Sequence, residues 1–285
     1  MPMKAIDLHK EFPTISQADF NFLLCNLKHC NPGQVSLNQS LNSAEVTTMQ
    51  EWLGRLLGGD PPQYVVHTAW FFSMELYVDP RVLIPRYDTE VLVDALLPYL
   101  VPKAKVLEIG VGSGAISLAL KKSRADLQIF ATDIDGGALD VARKNSIRLQ
   151  LPIYLVQADL FPASEGDFDL IVSNPPYISP EEYLELESTV RDKEPKIALL
   201  AADKGFAFFK RILDKAPQYL KAGGILAFEH GNKQQSALQN LTESAGFRLL
   251  QKGRDLAGRS LPDRKIKINP KRIPWINSSS NPVAI

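Results

Sequence analysis

From residue 103 onward the chain alternates short apolar, β-branched runs with helix-spaced stripes, and no other feature restricts the fold as tightly. "KVLEIG" (105–110), "LQIFATD" (127–133), "IYLVQAD" (153–159), "FDLIVSN" (168–174) and "GILAFEHG" (224–231) read as strands. "GAISLALKK" (114–122), "GALDVARKNSIRL" (137–149) and "GFAFFKRILDKAPQYL" (205–220) read as helices. A further helix and a closing strand pair, "FRLLQKG" (247–253) and "RKIKINP" (264–270), complete the series. Repeated β–α units imply an α/β fold: a parallel sheet covered on both faces, with ligands at the carboxyl ends of its strands.

The region before it is built differently. Phe20, Leu23, Leu24 and Leu27 recur at helical spacing, and Val46, Met49, Trp52, Leu53, Leu56 and Leu57 form a second stripe. Asn42 with Glu45 three residues on is a capping pair, and Gly58-Gly59 ends that helix. Aromatic and β-branched residues then dominate 63–85, as in a hairpin, before "DTEVLVDALL" restores helical spacing. The expected division is a helical domain over 1–62, a β-hairpin linker over 63–86, the α/β domain over 87–270 and a loose polar tail over 271–285.

Composition removes several function classes. The 32 basic residues balance 32 acidic ones, so no global field draws the chain to nucleic acid or to an anionic membrane. Apolar runs are short and interrupted, and "MPMKAIDLHKEF" lacks a signal-peptide core, which reads as a cytoplasmic protein. Cys25 and Cys30 bracket His29, but nothing nearby supplies further ligands, so no metal is expected and the pair reads as two thiols on a helix.

The chemistry sits on the strand ends. "EIGVGSG" (108–114) places Gly110, Gly112 and Gly114 between a strand and a helix, where backbone can approach a ligand closely. The G-x-G-x-G spacing differs from the G-x-G-x-x-G of dinucleotide sites, which weakens a nicotinamide dehydrogenase reading. Asp133 ends the next strand, nineteen residues after Gly114, where its carboxylate can accept both ribose hydroxyls of a nucleoside cofactor. Asp159 can accept from an adenine amine while Leu160 packs on the ring.

Asn174 closes the fourth strand and opens "NPPY". Two adjacent prolines remove two backbone donors and hold φ near one value, so neither a helix nor a central strand continues through them. The result is a rigid loop presenting the Asn174 side-chain carbonyl and the Pro175 backbone carbonyl, two acceptors for one NH₂ group, with Pro176 fixing direction and Tyr177 able to cover a planar group. A planar amide nitrogen is a weak nucleophile, and methylating it requires in-line placement and hydrogen bonds that draw electron density onto it. The proton can leave to water afterwards, so no general base is required. An amino-methyltransferase acting on a nucleic-acid base would use the same logic, but the balanced charge and short N-terminal region argue against it. A non-catalytic scaffold needs none of these residues.

"EIGVGSG", "NPPYIS" and "VLIPRYDTE" resemble the HemK-type N5-glutamine methyltransferases, which methylate the glutamine of the Gly-Gly-Gln motif in class 1 peptide-chain release factors. The resemblance runs from about residue 50 to 268. It implies a Rossmann-like class I methyltransferase sheet, mostly parallel with an antiparallel last strand, preceded by a small helical domain that helps grip the release factor. It also implies S-adenosylmethionine as cofactor, held by Glu108, Gly110, Val111, Gly112, Ser113, Gly114, Asp133, Ile134, Asp159, Leu160 and Asn174. Asn174, Pro175, Pro176 and Tyr177 would be the catalytic residues that hold the glutamine amide, with Arg86 at the mouth of the site. Arg86, Asp88, Thr89 and Glu90 can equally be a helix start. His230 reads either as a base or as a hydrogen-bonded structural residue, and "RDKEP" (191–195) either as a closing loop or as a solvated charge run. Two positions depart from the family pattern: Tyr87 stands where a proline usually follows the arginine, and His67 where a glycine is usual. Residues 68–86 also resemble a sister branch that methylates a large-subunit ribosomal protein, whereas "DTE", "EHG" and "RDLAGR" (254–259) favour the release-factor branch.

Overall fold

A computed structural model describes residues 3–30, 34–164, 166–252 and 265–268. The "RDLAGR" segment and the expected tail over 271–285 lie outside the described residues. The chain divides into two compact units, 1–68 with 186–194, and 69–185 with 195–285.

The first unit pairs two tiny strands, β1 (Met3–Lys4) and β2 (Ser40–Leu41), and carries helices between and after them. These are α1 (Ala5–Lys10), α2 (Gln17–Lys28), α3 (Ser43–Leu57) and α4 (Pro62–Val66). The stripes read from the sequence meet here: Phe20, Leu23 and Leu24 pack with Met49 and Leu53, joined by Leu8 and Val65. Leu57 stays out, more than half exposed. The caps are as the residues suggest. Ser16 Oγ accepts from the Asp19 amide at 3.0 Å. Asn42 and Glu45 form a reciprocal capping box, each side chain accepting the other's backbone N–H at 2.9 Å.

Residues 63–66, expected to open the hairpin, are instead α4, because Pro61-Pro62 starts a helix and the Arg55 guanidinium takes the Tyr64 and Val65 carbonyls at its end. His67 follows at φ +55°, the left-handed region that explains why glycine suits this position. The charge run is partly resolved too. Segment 186–194 carries α9 (Ser188–Arg191) and belongs to this unit, where Lys193 Nζ pairs with Asp60 Oδ1 at 2.8 Å. That hydrogen bond, ahead of burial, sets the direction in which the Asp60 carboxyl shifts, which is down.

The second unit opens on the hairpin of β3 (Thr68–Phe71) and β4 (Met74–Tyr77). Its two-residue turn puts Phe72 and Ser73 at φ +50° and +54°, where glycine or asparagine is the usual choice. Side chains hold it: Glu90 accepts the Phe72 amide at 2.8 Å, and Lys122 Nζ donates to the carbonyls of Phe72 and Ser73. After α5 (Tyr87–Leu96) come β5 (Lys105–Ile109), α6 (Ala115–Ser123), β6 (Gln128–Asp133), α7 (Gly136–Leu149), β7 (Tyr154–Gln157) and β8 (Phe168–Ser173). The short helix α8 (Pro180–Leu184) follows, and beyond the inserted segment α10 (Ala207–Tyr219), β9 (Leu220–Phe228), α11 (Gln235–Ser244), β10 (Arg248–Lys252) and β11 (Lys265–Ile268).

The sheet has seven strands in the order β10-β11-β9-β8-β5-β6-β7. From β9 to β7 the pairs are parallel, and β11, the last strand, runs antiparallel to β9. Side chains alternate between two cores. Val106, Leu170 and Val172 pack with Leu92, Leu96 and Ile116 on one face, and Leu107, Ile171 and Leu226 with Phe209 and Ile212 on the other. Being covered on both faces is why these strands read as unbroken apolar runs.

The capping box predicts that Asn42→Ala removes about 1 kcal/mol from the stability of the first unit. A lowered urea midpoint with an unchanged slope is the expected result.

Candidate active site

The register of the sheet aligns the functional loops. Ile109 of β5 sits level with Thr132 of β6 and with Ser173 of β8, and Ser173 is level with Phe228 of β9. The next residues along these strands, Gly110, Asp133, Asn174 and Glu229, therefore fall in one row at the carboxyl ends, with about 4.8 Å between neighbouring strands. A cavity opens above that row.

Of the residues expected to hold cofactor or substrate, Glu108, Gly110, Val111, Gly112, Ser113, Asp133, Ile134, Asp159, Leu160, Asn174, Pro175, Pro176 and Arg86 line this cavity. Gly114 and Tyr177 do not. Gly114, at φ +85°, caps α6, and a Cβ there would meet Leu118 Cδ1 at 3.1 Å, so it serves helix packing. The Tyr177 ring lies against Gly231, and its carbonyl accepts from Gln234 Nε2 at 2.9 Å.

The glycine loop is tied to the end of β6. The Gly110 and Val111 amides both donate to the Thr132 carbonyl, and the Gly112 amide donates to Asp133 Oδ2 at 3.0 Å. Gly110 and Gly112 adopt φ +76° and +51°, and a Cβ added to either meets nothing within 4 Å. That is an open cradle of bare backbone, the shape a nucleoside cofactor with an amino-acid tail needs. Asp133 Oδ1 also accepts the Asp135 amide. A carboxylate offers about four lone-pair sites, so Asp133 retains capacity for a ribose hydroxyl. Burial raises the Asp133 carboxyl above its ordinary value, and the backbone amides of Gly112, Asp135 and Ile134 pull it partly back.

Asp159 and Leu160 form the far wall. Thr132 Oγ1 donates to the Leu160 carbonyl at 2.6 Å and fixes Leu160 at φ +69°, while Asp159 Oδ2 is paired with Arg211 at 2.6 Å. Beneath the loop, Glu108 is fully buried and accepts from the Ser117 amide at 2.9 Å and from the Ser117 hydroxyl. Burial pushes its carboxyl up to about 8, although the Ser117 bonds lower it.

At the mouth, Arg86 is the residue before α5 and Asp88 and Glu90 lie in its first turn. Thr89 caps nothing: its hydroxyl reaches Glu229 Oε2 at 2.7 Å. His230 is buried with Nδ1 at 2.8 Å from the Gly231 carbonyl and does not line the cavity. Cys25 is buried, and burial, then its neighbour Cys30, pushes the thiol up to about 11. No group of three or more His, Cys, Asp or Glu residues among the described residues is placed to hold a metal ion.

Three contributors escaped the sequence reading. Arg81 lines the cavity and is held by Asp79 through Nη2 at 2.6 Å. Burial works against the Asp79 charge, but the Arg81 and Tyr77 hydrogen bonds bring its carboxyl down to about 2. Gln234 holds the Tyr177 carbonyl. Gly205 presses on the same carbonyl at φ +86°, the third of three successive left-handed residues after Asp203 and Lys204. In the sequence it is a lone glycine two residues before α10.

Residues 87–189 match the family described as Methyltransferase small domain. Among curated proteins the chain is 43% identical over 204 residues to the release factor glutamine methyltransferase of Streptococcus pneumoniae, covering 69% of this chain and 73% of that one. It is 30% identical over 269 residues to the protein of that name in Thermodesulfovibrio yellowstonii, covering 90% and 95%. Among solved structures, a methyltransferase from Pyrococcus furiosus superposes with a TM-score of 0.53 at 20% identity, over 77% of this chain and 98% of that one, which shows the shared fold.

Two results are expected of the site. A Cβ at Gly205 would stand 2.2 Å from the Tyr177 carbonyl oxygen and 2.4 Å from Gln234 Nε2. Gly205→Ala is therefore expected to remove roughly 3 kcal/mol of stability, read as a lowered denaturation midpoint. For Glu108, the folded protein holds a proton more tightly than the unfolded chain, so its contribution to stability falls as pH rises from 4.5 to about 8. Glu108→Gln is expected to flatten that part of the stability–pH curve, measured by urea midpoints at successive pH values.

Proposed function

The chain belongs to the release factor glutamine methyltransferases, and we propose that it methylates the N5 nitrogen of the glutamine in the Gly-Gly-Gln motif of class 1 peptide-chain release factors. The observation that carries this reading is that the Asn174-Pro175-Pro176 loop and the bare-backbone cradle of Gly110 and Gly112 line one and the same cavity.

S-adenosylmethionine, when bound, supplies a methyl group on a sulfonium, which departs as a neutral thioether. Gly110 to Ser113 provide the surface for its amino-acid end. Asp133 would accept from its ribose hydroxyls, and Ile134 and Leu160 would flank its base. Asn174 Oδ1 and the Pro175 carbonyl each accept one N–H of the glutamine amide, which fixes the plane of that group and concentrates electron density on its nitrogen. Two acceptors on one NH₂ also turn the nitrogen lone pair toward the methyl. The nitrogen becomes cationic as the C–N bond forms and loses its proton to water, so neither His230 nor Glu229 is needed as a base. Pro175 and Pro176 hold the acceptor carbonyl with no backbone N–H to compete for it.

The helical unit of residues 1–68 is assigned the task of gripping the release factor outside the tripeptide. Among the described residues no helix is long and apolar enough to cross a membrane, and a release factor as substrate puts the site of action in the cytoplasm.

Mass spectrometry of a purified release factor, after incubation with this protein and S-adenosylmethionine, tests the reading. One added methyl is expected on the glutamine of Gly-Gly-Gln and none on a Gly-Gly-Ala variant. A methyl found only on a large-subunit ribosomal protein would move the chain to the sister branch. Asn174→Ala is expected to abolish transfer while S-adenosylmethionine affinity, measured by calorimetry, stays near that of the unaltered protein.

A further inference from the structure

The Asn174 side chain has two faces, a carbonyl and an NH₂, and only the carbonyl can accept the substrate amide. Rotation about its last torsion exchanges them at little intrinsic cost, so the surroundings must choose. Two residues outside the NPPY loop stand where that choice is made. Thr89, in the first turn of α5, is 4% exposed, and Glu229, the first residue beyond β9, is 3% exposed. The Thr89 hydroxyl donates to Glu229 Oε2 at 2.7 Å, and Asn174 Nδ2 stands 3.4 Å from Thr89 Oγ1.

With Glu229 ionised, the inventory of donors and acceptors along this chain allows one arrangement. As a carboxylate, Glu229 only accepts. Thr89 has a single hydroxyl proton, and the short bond to Glu229 consumes it. Thr89 Oγ1 therefore faces Asn174 with lone pairs alone, and the Asn174 group turned toward it must be the NH₂. Oδ1 is left for the cavity. We propose that Glu229 and Thr89 are positioning residues that fix the orientation of the Asn174 amide, so that its carbonyl, not its NH₂, meets the substrate nitrogen. This rests on the amide-methyltransfer reading above and extends it to two residues that need never touch the substrate.

The backbone supports the relay. Glu229 N donates to the Ser173 carbonyl at 3.0 Å, which locks the relay acceptor beside the last residue of β8, one before Asn174. The Thr89 amide donates to the Arg86 carbonyl at 2.9 Å, so the start of α5 and the mouth residue Arg86 are set together with it. The 3.4 Å step is the loose one, and catalytic hydrogen bonds of this kind commonly tighten when the substrate arrives.

Near-isosteric substitutions test the relay. In Thr89→Val the hydroxyl is lost at nearly constant volume, and in Glu229→Gln the terminal group gains a donor that can reverse the direction of the Thr89 bond. Both are expected to lower kcat for release-factor methylation by about 10²-fold, with KM and cofactor affinity changed by less than about threefold. Thr89→Ser, which keeps the hydroxyl, is expected to restore most of the rate. The double variant is expected to be no slower than the worse single one, because both changes break one unit.

A second readout needs no substrate. In protein carrying ¹⁵N-asparagine, the Asn174 side-chain amide signals, identified by their absence in Asn174→Ala, are expected to move in Thr89→Val and Glu229→Gln and to stay in Thr89→Ser. Signals that stay in all three, or a Thr89→Val enzyme at the unaltered kcat, overturn the relay. Should the unaltered protein methylate no release factor, the substrate assignment falls by itself, and the amide signals still decide for or against the relay.

Discussion

Parallel pairing of β5 between β6 and β8 is the constraint from which the site follows. Because the three strands run the same way and are in register at Ile109, Thr132 and Ser173, their exits fall in one row. An antiparallel neighbour would have sent one of these loops to the opposite edge. The β9 strand extends the row by one place, which is how Glu229 comes to lie beside Asn174. Parallel strands need crossovers, and the helices that make them bury both faces of the sheet. The cavity opens where the carboxyl ends of these parallel strands leave the covering helices.

That exposed backbone is held by few side chains. Asp133 closes the glycine loop through Gly112 and still keeps lone pairs for a ligand. Thr132 holds the Leu160 carbonyl, while its own carbonyl takes the amides of Gly110 and Val111. Two adjacent residues of one strand therefore set both walls of the cofactor site. On the substrate side the proline pair stiffens the loop from within, and Gly205, Gly231 and Gln234 clamp its Tyr177 end from outside. A loop that must accept a planar amide in one orientation gains from such redundancy, since small displacements of acceptor groups reduce rate steeply.

Several groups at the site carry unfavourable burial. Glu108 sits in the core beneath the glycine loop with its carboxyl shifted to about 8, and Asp133 is raised in the same direction. Neither belongs in an apolar core on stability grounds alone. Each holds backbone that the cradle requires: Glu108 the first turn of α6, Asp133 the turn at Gly112. The first unit holds its charges differently. Its ion pairs, Lys28 with Glu45 and Lys193 with Asp60, lie nearer the surface, and its apolar stripes meet in a plain helical core.

The sequence by itself determined the alternation of strands and helices, the caps at Asn42 and Glu45, the glycine loop, Asp133 and the NPPY loop. All of these are local: period, propensity and turn chemistry act over a few residues and leave their mark in the spelling. It misjudged 63–66, where β-branched residues outweighed the Pro61-Pro62 helix start, and it did not show that Lys193 pairs with Asp60, 133 residues away. Only the tertiary structure decided that Thr89 answers to Glu229, 140 residues away, that Gly205 must be glycine because the Tyr177 carbonyl presses on it, and that the Tyr177 ring packs against Gly231. Those facts depend on which strand ends share a row, and sheet order is set by packing across the whole unit, which no local stretch encodes.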